Sequence, residues 1–201
     1  MKNQITPEGI LFDMDGVLVD SFDSWWKSLN KASKTLLKNS ITQNEFKEKY
    51  WGNTLQENLQ DLGIDAKNQK FCNIFYKEYL DEIILFKTTK KTLQKLNRYP
   101  KAIITNTPLE CTQKILKLFQ LSNYFDTVIT SDQIKHGKPA PDMIYKACEQ
   151  LNINSNHVVL VGDTQNDIDA GKSAGCTTIG IDTPADYTIQ NISEILDIIT
   201  N

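Results

Sequence analysis

The stretch that decides the fold is ILFDMDGVLVD at residues 10–20, where an apolar run gives way to two carboxylates. Residues 10–12 show no polar alternation, as expected for a strand that is covered on both faces. Asp13 and Asp15 follow at once, although aspartate is poor strand material, and Gly16 comes next. Open α/β sheets bind their ligands beyond the carboxyl ends of the strands. The position of this acidic pair therefore predicts a functional site.

Further apolar runs resemble the first one and alternate with helical patterns. They lie at residues 102–104, 127–130, 158–161 and 177–181. Apolar residues recur at helical spacing between the later runs, and Gly175 ends one such pattern. This alternation predicts the α/β class, with a Rossmann-like parallel sheet as the core. A last apolar pattern at residues 192–199 predicts one more docked helix.

The interval between the first two strands is much longer than an ordinary crossover. It contains apolar stripes at helical spacing, at residues 25–36, 55–62 and 71–79. We therefore predict an inserted all-helical cap subdomain at residues 17–86. Residues 1–16 and 87–201 then form the α/β catalytic core, and a helix within residues 88–98 leads back into it.

Composition narrows the classes of function. The chain has 201 residues and a net charge of -3, so it offers no electrostatic attraction to nucleic acid or to an anionic membrane. It has a single arginine, Arg98, so at most one arginine side chain is available for bidentate binding of a carboxylate or phosphate group. Its four cysteines lie far apart and indicate buried thiols in a reducing compartment. Without an apolar leader or a membrane-length apolar run, we expect a cytoplasmic protein.

Polar side chains follow the later strands at the same topological position as the acidic pair. Thr105 and Asn106 end the second strand, Lys138 lies in a GKPAPD loop after the third, and Asp163 follows the fourth. In a parallel sheet these loops must converge on one edge. Carboxylates without histidine or cysteine form a hard-oxygen site that suits Mg²⁺.

The chemistry that this inventory supports is phosphoryl transfer to a carboxylate. An aspartate can attack phosphorus, and a second one can give a proton to the leaving oxygen and later take one from water. A metal ion would reduce the repulsion between the attacking carboxylate and a phosphate dianion. Lys138 and Thr105 would add positive charge and hydrogen bonds to the transferring group.

The four segments together resemble the motifs of the haloacid dehalogenase superfamily, in the same order and across essentially the whole chain. The insert resembles the alpha-helical cap of phosphoglycolate phosphatases and beta-phosphoglucomutases. This resemblance implies a magnesium-dependent phosphatase that acts on a small phosphate monoester, phosphoglycolate by family default, through an aspartyl-phosphate. Nucleotides, sugar phosphates and pyrophosphate stay open as substrates, and the oligomeric state is not readable.

The resemblance also implies residue roles. Asp13 is the nucleophile and a metal ligand, and Asp15 is the acid and base whose backbone carbonyl also binds the metal. Thr105 and Asn106 hold the phosphate. Lys138 balances negative charge.

In the fourth motif, Asp163 would ligate Mg²⁺, and Asp167 would support the metal's waters or Lys138. Asp167 also has an alternative interpretation as a first-turn acid that caps a helix. For Asp142 we prefer that helix-start interpretation, and for the Ser131–Asp132 pair a structural role.

Specificity is expected to depend on the cap. Residues 50–54 interrupt the helical pattern where relatives place a specificity loop, so Trp51 could enclose a leaving group and Asn53 could hydrogen-bond it. A packed helix–helix turn with Trp51 as its anchor is the alternative. At least one of Trp25 and Trp26 is expected to face the site entrance.

Competing activities are disfavoured by particular residues. Dehalogenases of the superfamily lack the second aspartate, which Asp15 supplies here. Sugar phosphomutases carry a histidine where this chain has Trp25, and a cap arginine where the insert has none, although Lys47 or Lys49 could substitute. A receiver-type signalling domain would lack the inserted cap. A catalytically silent binding protein is the remaining alternative.

Overall fold

A computed structural model describes residues 4–199, and its centre is a six-stranded parallel sheet. The strands are β1 (Gly9–Phe12), β2 (Val19–Asp20), β3 (Ile84–Leu85), β4 (Lys101–Thr105), β5 (Thr127–Thr130), β6 (Val158–Gly162), β7 (Thr177–Ile181) and β8 (Tyr187–Ile189). The order across the sheet is β5-β4-β1-β6-β7-β8, and β2 pairs with β3 in a separate antiparallel ribbon. The five predicted core strands and the Rossmann-like α/β class are confirmed.

Helices cover both faces of the sheet and form the insert. They are α1 (Phe22–Leu37), α2 (Gln43–Lys49), α3 (Leu55–Asp61), α4 (Gln69–Glu78), α5 (Thr89–Lys95), α6 (Leu109–Leu118), α7 (Asp142–Leu151) and α8 (Gln165–Ala174). Helix α8 ends at Gly175, which adopts the left-handed conformation predicted for it.

Strand β1 lies at the centre because all four of its residues are buried and both of its edges are paired. It pairs with β4 on one side and with β6 on the other. The pleat sends Ile10 and Phe12 into the core with α5 and α6, and Leu11 into the opposite core with α7 and α8. This two-sided burial explains the unalternating apolar run at the start of the sequence.

The insert has an apolar core of its own. Leu29 of α1, Phe46 of α2 and Leu59 of α3 are buried together. A capping box fixes the start of α3, because the Thr54 hydroxyl accepts from the Glu57 backbone N–H while the Glu57 carboxylate accepts from the Thr54 backbone N–H. Strands β2 and β3 carry the chain out of the sheet and back again. The exact boundaries at 16/17 and 86/87 stay a prediction.

Several local expectations differ from the structure. The helix expected at 192–199 is a 3₁₀-helix at Ile192–Asp197, in which Ile192 and Ile195 are buried and Leu196 is partly buried. Strand β8 was not predicted, since its three residues include an exposed threonine and form no apolar run. The β2–β3 ribbon was not predicted, and its two strands lie near the two ends of an insert that was expected to be all helical. The side chain of Phe71, part of one predicted stripe, lies outside the description.

Along residues 4–199, no helix combines the length and the apolar character that a bilayer crossing requires.

The described cysteines should be unreactive in the native protein. Burial raises the pKa of Cys111 and Cys176 to about 12 and that of Cys148 to about 11, so the thiolate is scarce at neutral pH. In a Cys72→Ser variant, we expect an aromatic disulfide reagent to label native protein at least about a hundredfold more slowly than urea-unfolded protein. Rapid labelling of native Cys72→Ser, with an unchanged circular dichroism spectrum, would contradict this assignment.

Candidate active site

The predicted site residues meet at the carboxyl edge of the sheet. Asp13 and Asp15 follow β1, Thr105 ends β4, and Asp163 follows β6. Together with the cap they enclose a cavity of about 50 Å³. Eight of the nine predicted residues line it: Asp13, Asp15, Trp51, Asn53, Thr105, Asn106, Lys138 and Asp163.

The ninth residue, Asp167, is buried behind Lys138 and pairs with it. The Lys138 ammonium lies 2.8 Å from Oδ1 of Asp13 and 2.5 Å from Oδ1 of Asp167, and it donates to the backbone carbonyl of Ile104 at 3.0 Å. Burial alone would lower the pKa of Lys138, but the two carboxylates outweigh burial and raise it. Lys138 is therefore a fixed cation between the two acids.

Asp167 combines both roles that the sequence left open. Its Oδ2 accepts from the backbone N–H and the hydroxyl of Thr164, which makes a capping box at the start of α8. Its Oδ1 faces Lys138. The two oxygens thus connect the helix start to the charge network. Gly162 permits this approach, since a Cβ placed there would lie 2.2 Å from the Cβ of Asp167.

The acids outnumber the cations in this cluster. One oxygen from each of Asp13, Asp163 and Asp167 lies within 4.8 Å of the other two. Oδ1 of Asp163 is buried and has no hydrogen-bond partner among the residues at 4–199. Burial, together with neighbouring carboxylates, raises the pKa of Asp13 to about 7 against the opposing charge of Lys138, and raises that of Asp163 well above its ordinary value. This donor set fits a divalent cation with oxygen ligands.

Asp15 has surroundings of a different kind. Its carboxylate accepts hydrogen bonds from the hydroxyls of Ser21, Thr107 (2.7 Å) and Thr105 (3.3 Å). The carboxylate of Asp15 is not part of the acidic cluster. Two aspartates separated by one residue therefore face different partners, a lysine for one and hydroxyl groups for the other.

Sequence reasoning missed Ser21 and Thr107 as partners of Asp15. Thr107 lies two residues beyond Thr105 in the loop that follows β4, so its approach to the same edge of the sheet could have been predicted in the same way. Ser21 gave no such signal, because the turn in which the Gly16 N–H donates to the Val19 carbonyl is what brings the chain back beside Asp15.

Asn106 links the core to the cap through its side-chain amide. Its Nδ2 donates to the backbone carbonyls of Gly52 (2.8 Å) and Lys138 (3.0 Å), and its Oδ1 accepts from the Lys138 backbone N–H. Asn166 adds a second link, donating from Nδ2 to Gly52 O at 3.0 Å and to Asn53 Oδ1 at 3.1 Å. The loop at residues 50–54 is therefore docked on the sheet edge.

Trp51 anchors the turn, as one of the two interpretations expected, and it also reaches the acidic cluster. Its ring contacts Phe22 and Phe46 edge to face, which anchors the turn. Its Nε1–H donates to Oδ2 of Asp163 at 3.1 Å, so the same side chain contacts the acidic cluster. Trp25 also lines the cavity, stacked on Tyr76 with ring centroids 3.8 Å apart, which confirms the expectation for one of the two tryptophans.

The residues assigned structural roles have structural partners. Asp142 lies in the first turn of α7 and is not among the residues that line the cavity. Its carboxylate lies 3.1 Å from Nδ1 of His136. Asp132 accepts from the backbone N–H of Leu109 at the start of α6, and the Ser131 hydroxyl donates to the carbonyl of Asn106.

Comparison with known proteins agrees with this geometry. The haloacid dehalogenase-like hydrolase model matches residues 10–181. The chain belongs to the haloacid dehalogenase-like hydrolase family and is an enzyme of the hydrolase class. The resemblance inferred from the motifs is thereby confirmed.

Similar proteins carry phosphatase names. Phosphoglycolate phosphatase of Aquifex aeolicus is 33% identical over 178 residues, which cover 84% of this chain and 82% of that protein. Pyrophosphatase PpaX of Bacillus velezensis is 28% identical over 209 residues, covering 94% of each chain. A crystal structure of beta-phosphoglucomutase from Clostridium difficile superposes with a TM-score of 0.85 at 19% identity, covering 94% of this chain and 93% of that one. That last likeness shows the shared fold.

We predict that Gly162→Ala damages the site through sterics alone, because Gly162 does not have a positive φ and alanine could otherwise adopt its conformation. The added methyl would collide with the Cβ of Asp167 and disturb its bond to Lys138. We expect a loss of roughly 1–3 kcal/mol in the free energy of unfolding, measured by urea denaturation.

The matched control places the same substitution in an Asp167→Gly background, where the opposing Cβ is gone. There the alanine should cost much less than in the wild type. An equal cost in both backgrounds would show that Asp167 is not what excludes a side chain at position 162.

Proposed function

We propose that the chain is a Mg²⁺-dependent phosphatase that hydrolyses a small phosphate monoester, of about the size of phosphoglycolate, through an aspartyl-phosphate on Asp13. The observation that carries the proposal is the cluster of Asp13, Asp163 and Asp167, in which a single lysine pairs with Asp13 and Asp167. Such a cluster suits a dianionic phosphate only when a cation joins it. The phosphatase names of the relatives support the same reaction class.

In this proposal, Asp13 and Asp163 would hold the metal together with the backbone carbonyl of Asp15. When bound, Mg²⁺ would supply positive charge that offsets the acids and polarises a phosphoryl oxygen. Lys138 holds the Asp13 carboxylate by its Oδ1. Thr105 and Asn106 stand beside the same cavity and would orient the phosphoryl group, with some of their present hydrogen bonds exchanged for bonds to the substrate.

The first half-reaction transfers the phosphoryl group to the enzyme. A carboxylate oxygen of Asp13 attacks phosphorus, and the bond from phosphorus to the leaving oxygen breaks. Asp15, in its protonated form, gives its proton to that oxygen, so the product leaves as a neutral alcohol. The three hydroxyls around Asp15 fix the orientation of its carboxyl group.

The second half-reaction returns the enzyme to its starting state. Asp15, now a carboxylate, takes a proton from a water molecule as that water attacks phosphorus. The bond between Asp13 and phosphorus breaks, inorganic phosphate leaves, and Asp15 is protonated again. The docked loop at residues 50–54 limits the access of other water to the site.

A mutase activity is less well supported. Trp25 lies in the cavity at the position where sugar mutases of the family carry histidine. The candidate substitutes for a cap arginine, Lys47 and Lys49, do not line the cavity, and Lys49 pairs with Glu45. A second phosphate would find no cap cation among the described lining residues.

We also place the enzyme in the cytoplasm. The three described cysteines are free and buried, which supports a reducing compartment.

The activity prediction concerns the two aspartates after β1. In the presence of Mg²⁺, phosphate release from a panel of monoesters, with phosphoglycolate and pyrophosphate included, should fall at least about a thousandfold in Asp13→Asn, because the nucleophile is lost. Asp15→Asn should lose roughly 10²–10⁴-fold, because only proton transfer is lost.

Asp142→Asn is the matched control, since it removes an acid near a helix start outside the cavity. It should keep wild-type turnover. Unchanged turnover in Asp13→Asn, or no turnover by wild type on any phosphate ester, would overturn the proposal.

The metal prediction uses stability as its readout. Mg²⁺ at about 100 times its dissociation constant should stabilise the wild-type fold by about 2.7 kcal/mol, which raises the melting temperature by several degrees. Asp163→Asn should remove most of that increase, because a ligand oxygen is replaced by an amide. Asp142→Asn should keep the increase. Equal increases in all three proteins would argue against a metal site at Asp163.

A further inference from the structure

Most of the cap's share of the cavity lining is apolar or aromatic, and Asn53 and Asn58 are its polar members. Trp25 and Leu29 come from α1, Phe46 from α2, Tyr50 from the turn that follows α2, and Leu55 from α3. Leu29, Phe46 and Leu55 are otherwise buried in the core of the insert. A leaving group bound opposite Asp13 would therefore meet rings and aliphatic carbons.

The cap's share of the lining also lacks a cation. Among the described residues that line the cavity, the only positive side chain is Lys138, and it is already paired with Asp13 and Asp167. The insert contains no arginine. A carboxylate on the leaving group would have no ion-pair partner on the cap side.

Several neutral donors nearby already bond within the protein. Nε1–H of Trp51 donates to Asp163, and Nδ2 of Asn53 donates to the backbone carbonyl of Lys49 at 2.8 Å and to Oδ1 of Asn58 at 3.4 Å. One N–H of the Asn58 amide donates to the carbonyl of Tyr50 at 3.0 Å. Binding a second anion through Trp51 or Asn53 would compete with contacts that hold the loop at residues 50–54.

We propose that this enzyme selects phosphate monoesters whose leaving alcohol is small and uncharged, with an apolar face, and that it discriminates against leaving groups bearing a carboxylate. The inference rests on the proposed phosphatase function and specifies its substrate class. Selectivity arises from the absence of a cap cation as much as from the apolar contacts.

The test compares three esters of similar size with wild-type enzyme and Mg²⁺: phosphoglycolate, its neutral amide, and n-propyl phosphate. Values of kcat/KM for the amide and the propyl ester should exceed that for phosphoglycolate by at least about tenfold. Equal or faster turnover of phosphoglycolate would overturn the inference, while leaving the phosphatase proposal intact. Failure of all three esters would instead count against the phosphatase proposal itself.

A pair of variants at Asn53 tests the electrostatic cause. Asn53 lines the cavity and is only half-buried, so it can accept a longer side chain. Asn53→Lys adds a cation, and Asn53→Met adds similar length without charge while losing the same hydrogen bonds. The ratio of kcat/KM for phosphoglycolate to that for the amide should rise about tenfold in Asn53→Lys and stay near the wild-type value in Asn53→Met. Identical ratios in both variants would refute the electrostatic explanation.

Discussion

Lys138 is held between two buried carboxylates at the edge of the sheet, and the rest of the site depends on that arrangement. Removing an ammonium group and two acids from water costs several kcal/mol per ion unless each has partners. The partners come from β1, from the end of β4 and from the start of α8. The charge network thus requires the parallel sheet, since only adjacent parallel strands bring these chain segments to one edge.

The network also contains more acids than cations. Three clustered acids lie beside one lysine, and burial together with the neighbouring carboxylates raises the pKa of Asp13 and Asp163, an arrangement that would favour the binding of a cation. Stability and function oppose one another here, as is common at catalytic sites. One of the acids also stabilises the fold, since Asp167 caps α8 while it pairs with Lys138, and this limits the cost in stability.

The cap is joined to the same network by few contacts. Gly52 offers its carbonyl to Asn106 and Asn166, and Trp51 reaches Asp163. The apolar core of the insert is distinct from the two cores of the sheet, although Tyr76 of α4 is buried in one of the sheet cores and Trp25 packs against both that core and the core of the insert. A small set of hydrogen bonds therefore links the cap loop to the acids, and the described cap residues that line the cavity carry no charged side chain.

The sequence by itself determined the five main strands, the helical insert and the convergence of Asp13, Thr105, Lys138 and Asp163, because burial on both faces leaves unbroken apolar runs and parallel topology fixes where their ends meet. Local pattern also supported both roles of Asp167. Tertiary structure alone decided that Ser21 holds Asp15, that Trp51 touches Asp163, and that none of the cap lysines whose side chains are described lines the cavity. The contact between Trp51 and Asp163 joins segments far apart in the chain and depends on how the insert docks, and the contact between Ser21 and Asp15 depends on the turn after β1; no periodicity in the sequence encodes either geometry.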